Sequence, residues 1–250
     1  MIPAPTDDRG NSVWPSSMPD QDESTTEGGI RAQAQRLLDE QSTAGATLRE
    51  AFTGLPAPEM HTADLVLNRV GNIRAHTLAG VAQLDKYARD DTLPDRARQR
   101  LHREAAANTR RAIEEAVTEG ESAVEILATM LVDAAQPVFP EGGDRAEARD
   151  ELRMLLDASS DPRETIRQLA TGQDARLAAL AASSFGENYL RARGVHEDTI
   201  RLTRVEVAHA ALTSTDVRRR TAAQALQRVP DLRKQIHYVH HAASFVIPEG

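Results

Sequence analysis

Cysteine is absent from this 250-residue sequence. Without cysteine the chain can form no disulfide, no thiolate zinc site and no cysteine nucleophile. The absence fits a reducing compartment, and the first residues show neither the basic segment nor the apolar segment of a signal peptide. We therefore expect a cytoplasmic protein, or one that is assembled into a virion.

Aromatic residues are scarce as well, at 3% of the chain, and hydrophobic residues make up only 40%. A core with so few aromatics depends on Ala, Leu, Val and Ile, which suits closely packed helices. The same scarcity argues against a large aromatic-lined pocket for a small molecule. Long apolar runs are also missing, because a membrane span needs about 20 consecutive apolar residues. We therefore expect no contact with a membrane.

The net charge of −8 is spread unevenly along the chain. Residues 1–30 carry six acids and one base, and residues 31–186 carry 25 acids and 19 bases. Residues 187–250 instead carry seven acids and ten bases, a net charge of +3. A mildly basic end on an acidic body indicates an asymmetric surface, although it is not by itself the signature of a nucleic-acid-binding protein.

Residues 1–29 are rich in Pro, Ser, Thr, Asp and Gly, a composition typical of an extended or flexible acidic arm. Trp14, the only tryptophan of the chain, lies in this arm. One interpretation is that Trp14 folds back onto the domain or has no role. The other is that it anchors the arm on a partner or on a neighbouring subunit, since tryptophan often carries much of an interface's energy.

Beyond the arm the hydrophobic pattern is helical almost everywhere. A first helical stretch covers about 30–53. The clearest stripe of apolar residues predicts a helix over 62–89, and a second long helix should begin at Pro94 and stop at Gly120. Because a loop of about four residues joins the two, we expect a long antiparallel hairpin over about 62–119.

The segment 123–134 is the most apolar of the chain and predicts a fully buried helix. Pro and Gly residues in 137–143 then mark a domain boundary between a helical domain, 30–136, and a bundle of short helices, 144–247. A capping box is expected at Asp161, with Glu164 reaching back to it. No segment alternates like a strand over more than four residues, so the predicted fold class is all-α. The short helices are predicted at 145–157, 162–170, 173–185, 197–213, 216–228 and 231–246.

The common short signatures of enzymes are missing. The sequence contains no phosphate-binding glycine loop, no nucleophile elbow and no complete zinc-protease motif. The run from Asp90 to Asp95 resembles the aspartate-rich, magnesium-binding motif of isoprenoid synthases, which have an all-α fold. Acids and a proline at a helix start are explained more simply by the helix dipole and by the N–H that proline lacks.

Two sets of histidines have spacings that metal sites also use. Glu206 and His209 match one Glu-x-x-His motif of di-iron bundles, but such a site needs a second copy and two further glutamates. We expect instead a buried or half-buried His209, satisfied by Glu206 or by a backbone carbonyl. On the last helix, His237 and His241 should face away from the core with His240 at its edge, where an exposed pair lacks the third protein ligand of a tight zinc site.

Three consecutive arginines, Arg218, Arg219 and Arg220, are the candidate partner-binding residues of the C-terminal region, as Trp14 is of the arm. One interpretation is a solvated helix face. The other is a three-helix unit that binds phosphates, as a helix-turn-helix does. Further basic residues of that unit would be Arg201, Arg204, Arg228, Arg233 and Lys234.

The pattern as a whole favours a non-enzymatic helical interaction or assembly protein. We expect other protein subunits as partners, in a homo- or hetero-oligomer, and we predict no catalytic, cofactor-binding or metal-binding residue. A subunit of a larger complex, such as a virion component, is the form that fits best within this class. A nucleic-acid-binding regulator and a metal-dependent helical enzyme are the two alternatives.

Overall fold

The computed structural model describes Arg36 and residues 47–247, and every regular element in that part of the chain is a helix. The predicted all-α fold class is therefore confirmed. No helix among these residues is both long and apolar enough to cross a membrane. After a helical segment that ends at Ala51, the α-helices are α1 (Ala57–Ala88), α2 (Asp95–Ala134), α3 (Arg145–Asp157), α4 (Pro162–Ala170), α5 (Ala175–Ala181), α6 (Ser184–Ala192), α7 (Glu197–Ala210), α8 (Val217–Leu226) and α9 (Val229–Val246), with a short 3-10 helix at Ala211–Thr213.

The helices α1 and α2 face each other along most of their length. Thr62 Oγ1 on α1 lies 3.5 Å from Met130 Sδ on α2, near the start of one helix and the end of the other. Further along α1, Arg69 Nη1 lies 3.0 Å from Glu119 Oε2. As residue numbers increase along α1, the numbers of the α2 residues that they contact therefore decrease. The buried stripe between them includes Val66, Val70, Ile73, Ile113 and Leu127.

The helix α2 does not stop at Gly120, as the sequence pattern predicted, but continues to Ala134. The glycine is buried where another helix crosses, and a Cβ atom placed on it would lie 3.1 Å from Ile236 Cδ1. Gly120 therefore makes room for a neighbour and does not end the helix. The predicted separate helix over 123–134 is the last part of α2, and it is not fully buried, because Ile126 is 57% exposed.

The C-terminal helix α9 packs against both long helices and completes a three-helix bundle with them. Its Ile236 is fully buried beside Gly120. On the rim of the same contact, Arg233 Nη2 lies 2.5 Å from Glu125 Oε1 on α2. A side chain from α9 thus fills the core that α1 and α2 leave open, while an ion pair lies at its edge.

The short helices α3 to α7 surround a second apolar cluster. All five of these helices begin at a side-chain cap, and each cap satisfies an N–H that the first turn leaves free. Asp144 Oδ1, for example, accepts from Ala146 N at 2.8 Å and from Glu147 N at 3.1 Å, and these hydrogen bonds lower the pKa of Asp144. The large residues of this cluster are Leu152, Leu156, Ile166, Leu177, Leu180, Leu190 and Ile200.

Two details of this region differ from the predicted pattern. The predicted helix over 173–185 is two helices, α5 and α6, because Ser183 starts a new helix by accepting from Phe185 N. The predicted capping box at Asp161 is only half formed. Asp161 accepts from Glu164 N at 3.1 Å, but the carboxylate of Glu164 binds Arg167 and Gln168 and does not reach back.

The buried apolar residues form two groups, and the first of them combines helices from the beginning and the end of the described chain. One group lines α1, α2, α8 and α9, and the other lines α3 to α7. The predicted division into 30–136 and 144–247 remains a prediction. Within the described residues, α8 and α9 pack with the long helices because their apolar faces, including Ala222, Leu232 and Ile236, are buried against α1 and α2.

Candidate interaction surfaces

The arginine run on α8 is divided between the interior and the surface. Arg219 Nε donates to the backbone carbonyl of Ala135 at 3.0 Å, and burial lowers the pKa of Arg219. Arg220 Nη1 donates to the carbonyl of Ser214 at 2.8 Å. Of the three guanidinium groups, only that of Arg218 lies on an exposed residue. Two of the three predicted binding residues therefore hold backbone carbonyls of their own chain.

The other basic residues of the predicted three-helix unit lie close to acids. Arg204 Nη1, for example, lies 3.2 Å from Glu187 Oε1, and the same guanidinium binds Asp133. Each such pair neutralises a positive charge that a phosphate would need. The remaining pairs are Arg201 with Asp198, Arg228 and Lys234 with Asp231, and Arg233 with Glu125.

Gln136 is a structural residue that the sequence pattern did not single out. It is buried just beyond the C-terminus of α2, and its Nε2 donates to the carbonyl of Val132 at 2.9 Å and to that of Arg204 at 3.1 Å. With Arg219 on the carbonyl of Ala135, it satisfies the end of the longest described helix. A lone glutamine after a helix has no distinctive sequence signature, since glutamine at such a position is usually exposed.

The aspartates of the 90–95 loop make local hydrogen bonds. Asp90 Oδ1 accepts from Thr92 N at 3.0 Å and from Thr92 Oγ1 at 2.5 Å, and these bonds lower the pKa of Asp90. Arg98 pairs with both Asp91 and Asp95. The run thus builds a turn and the first turn of α2. Beside it, an open depression of about 540 Å³ is lined by Ala88, Arg98, Gln99, His102 and Arg103.

His209 does not lie where the sequence analysis expected it. The residue is exposed, and Glu206 binds Arg163 instead, with Arg163 Nη2 3.1 Å from Oε1 and 3.2 Å from Oε2. The prediction of a buried histidine held by Glu206 is therefore wrong. The prediction fails because α4 lies close to α7 and brings Arg163 to the carboxylate of Glu206.

The histidines of α9 face outward as predicted. His237 and His241 are exposed, and His240 is half-buried. His237 Nε2 lies 4.0 Å from Glu121 Oε1, and the ring of His241 packs edge-on against Phe245 with centroids 4.7 Å apart. Across the described part of the chain, no three histidine, aspartate or glutamate side chains are grouped closely enough to hold a metal ion.

An exposed apolar patch lies on the outer side of the α1 and α2 pair, and we call it the flank patch. It consists of Thr62, Leu65, Ile126 and Met130. The contact between Thr62 and Met130 places these two residues at one level, and Leu65 and Ile126 follow one turn further along each helix. Leu65 is 40% exposed and Ile126 is 57% exposed. The sequence pattern does not indicate this patch, because it predicts a fully buried helix over 123–134.

Trp14, the fourth predicted partner-binding residue, lies outside the described residues. Comparison with protein-family models, with curated proteins and with solved structures found no match to this chain.

Proposed function

We propose that this protein is a non-enzymatic helical interaction protein that serves as a subunit of a larger protein complex. The observation that carries the proposal is the flank patch. Leu65 and Ile126 belong to adjacent helices, lie at the same level and are both exposed. A partner that covered them would remove both side chains from water together.

The energetics favour such a use of the surface. Single exposed apolar side chains are common on proteins and need no explanation, whereas neighbouring ones on a rigid frame are typical of contact sites. Burial of apolar surface contributes about 25 cal/mol per Å², and fully burying an exposed Leu or Ile side chain contributes roughly 1.5 to 3 kcal/mol. Covering Leu65 and Ile126, which are 40% and 57% exposed, would contribute about half of that each. One turn further along, the Arg69 and Glu119 pair supplies the polar rim that surrounds the apolar centre of a typical interface.

The arrangement of basic groups does not favour the nucleic-acid alternative. The guanidinium groups of Arg219 and Arg220 are held by backbone carbonyls, and those of Arg204 and Arg233 by carboxylates. Binding to phosphates would have to break these contacts. The alternative predicts DNA binding that weakens steeply with salt, so a binding assay on the full chain at low ionic strength tests it.

The experiment that tests the proposal is isolation of the protein from its native source at natural abundance, followed by mass spectrometry of what accompanies it. Co-isolation with other structural proteins in fixed stoichiometry supports it, and virion proteins among them would identify the form of assembly. Isolation alone or with nucleic acid contradicts it. Stoichiometric iron, manganese or zinc in the untagged protein would support the metal-dependent enzyme instead.

A pair of variants connects that result to the flank patch. Ile126→Glu places a charge in the middle of the patch, and we expect the co-isolated proteins to be lost. Met154→Glu is the matched control, since Met154 is 67% exposed on α3, away from the long helices. Equal loss with both variants, or with neither, would remove the flank patch as the contact site.

A further inference from the structure

The charges of the helix α2 are sorted along its length. Residues 95–111 contain six arginines and two acids, a net charge of +4. Residues 112–134 contain six acids and no base, a net charge of −6. The longest helix of the described chain is therefore a rod with one basic half and one acidic half.

The helix itself does not account for this order, and its neighbours balance only part of it. Acids are favoured at a helix N-terminus and bases at a C-terminus, because of the dipole, whereas α2 carries the reverse arrangement. The neighbouring α1 contains three acids and three bases, so it has no net charge to balance either half. The other neighbours balance part of the acidic half, because α9 pairs Arg233 with Glu125, α7 pairs Arg204 with Asp133, and α8 carries three arginines and no acid.

The outward face of α2 shows the same order as a continuous stripe. Its members recur every three or four residues, which places them on one side of the helix, and all of them are exposed. Near the middle of the stripe, Arg111, Glu114 and the adjacent Glu115 form no ion pair with another described residue. We call this set the outer stripe: Arg100, Glu104, Ala107, Arg111, Glu114, Thr118, Ser122, Glu125 and Thr129.

We propose that the outer stripe binds the outer stripe of a second copy of this chain, with the two α2 helices antiparallel. Such a pair has a two-fold axis, so every contact occurs twice. The axis passes between residues 112 and 113, so that Arg111 faces Glu114 of the second copy. Arg100 and Glu125 also come level, although within one chain they already pair with Glu104 and Arg233. A parallel pair would instead place like charges together.

The residues between the charged positions permit a close approach. Ala107 faces Thr118 of the second copy in this register, and both side chains are small and exposed. The interface is polar, so its strength comes from complementary charge and depends on salt. It uses the outward face of α2 and not the flank patch, so it goes beyond the proposed function and can be tested separately.

The first test is sedimentation of the full chain at two ionic strengths. At about 0.01 M salt the Debye length is about 30 Å, and at about 1 M it is about 3 Å. We expect a dimer at the lower salt concentration that dissociates at the higher one. A chain that stays monomeric at low salt overturns the proposal, and so does a dimer that is insensitive to salt.

The second test exploits the two-fold symmetry. Arg111→Glu and Glu114→Arg each place two like-charged pairs at the axis, and we expect each to weaken dimerisation by about tenfold or more, since tenfold corresponds to about 1.4 kcal/mol. The double variant restores both pairs with reversed polarity, so we expect its affinity to return close to that of the native chain. Arg201→Glu, on α7, is the control and should have no effect on dimerisation.

The affinity of the double variant decides whether the two α2 helices pair in this register. Restoration in the double variant supports antiparallel pairing in this register. Weakening by both single variants without restoration overturns it, as does a dimer that neither variant affects. Circular dichroism of each variant shows whether the helices are retained. If the dimer is absent but other proteins co-isolate in fixed stoichiometry, the proposed function stands and this inference fails.

Discussion

Gly80 on α1 lies directly against the side chain of Thr109 on α2. A Cβ atom placed on Gly80 would lie 2.3 Å from Thr109 Cγ2 and 3.0 Å from Thr109 Cβ. Contacts this short do not occur between real atoms, so the two backbones are as close as they are only because residue 80 has no side chain. The relationship allows a matched comparison, because Gly71 lies on the same helix with nothing within 4 Å of its Cβ position.

We predict opposite effects of alanine at these two glycines. Gly71→Ala should raise the free energy of unfolding by about 1 kcal/mol, the difference in helix propensity. Gly80→Ala gains the same propensity but must displace Thr109, and overpacking costs typically 1 to 3 kcal/mol, so we expect a net loss of up to about 2 kcal/mol. Urea unfolding of both variants measures the difference. If Gly80→Ala were as stabilising as Gly71→Ala, the close approach of α1 and α2 would be wrong.

We predict a larger loss at Gly186, where the neighbour is backbone. A Cβ atom there would lie 2.2 Å from the carbonyl oxygen of Ala181, which no change of rotamer can relieve. Gly186→Ala should therefore cost about 3 kcal/mol, the upper end of the usual overpacking range. Gly120→Ala is the control, since its closest neighbour is the terminal methyl of Ile236, which can rotate away. Thermal unfolding that ranks Gly120→Ala below Gly186→Ala would contradict the account.

We predict that two adjacent arginines on α8 differ in their contribution to stability. Arg219→Ala removes the hydrogen bond to the carbonyl of Ala135 at the end of α2, and a hydrogen bond from a charged group contributes about 1.5 to 3 kcal/mol. Because Arg219 is only partly buried, we expect the lower end of that range. Arg218→Ala changes an exposed side chain and should stay within about 0.5 kcal/mol of the native chain. Equal values from chemical unfolding would show that Arg219 does not hold α2.

We predict that part of the stability on α4 is lost in acid. The Arg167 guanidinium, with help from Gln168, lowers the pKa of Glu164 to about 2. Because this folded-state pKa lies below the unfolded value of about 4.3, the contribution is present above that value and is lost as the pH falls toward 2. Glu164→Gln should therefore flatten the dependence of Tm on pH between about 5 and 2. Glu141→Gln, at an exposed carboxylate that forms no ion pair with described residues, should leave that dependence unchanged.

Local signals predicted two of the short helices well. The predicted spans 145–157 and 162–170 coincide with α3 and α4, because Asp144 and Asp161 cap their own helices through contacts two or three residues away. Signals of this kind lie entirely within a few residues of sequence. Local signals were misleading at Gly120. The glycine predicts a helix end, but it is instead the position where Ile236 of α9 packs against α2.

The candidate surfaces were predictable only in part. Helical spacing correctly placed His237 and His241 on the outside of α9. It could not show that Arg219 is held by Ala135 or that Glu206 is held by Arg163, because those partners are 84 and 43 residues apart in the sequence. Contacts over such separations depend on how whole helices pack, and a single sequence carries no direct record of that packing.

The sequence by itself determined the all-α class, the bounds of α3 and α4 and the cap at Asp161, since each follows from residue type and spacing along one segment. Only the tertiary structure decided that α9 packs with α1 and α2, that Gly80 meets Thr109, and that the exposed Leu65 and Ile126 lie at one level of the two long helices. The physical reason is that propensity and capping act within a turn or two of helix. Packing instead is settled by the fit between apolar faces that are far apart in the chain.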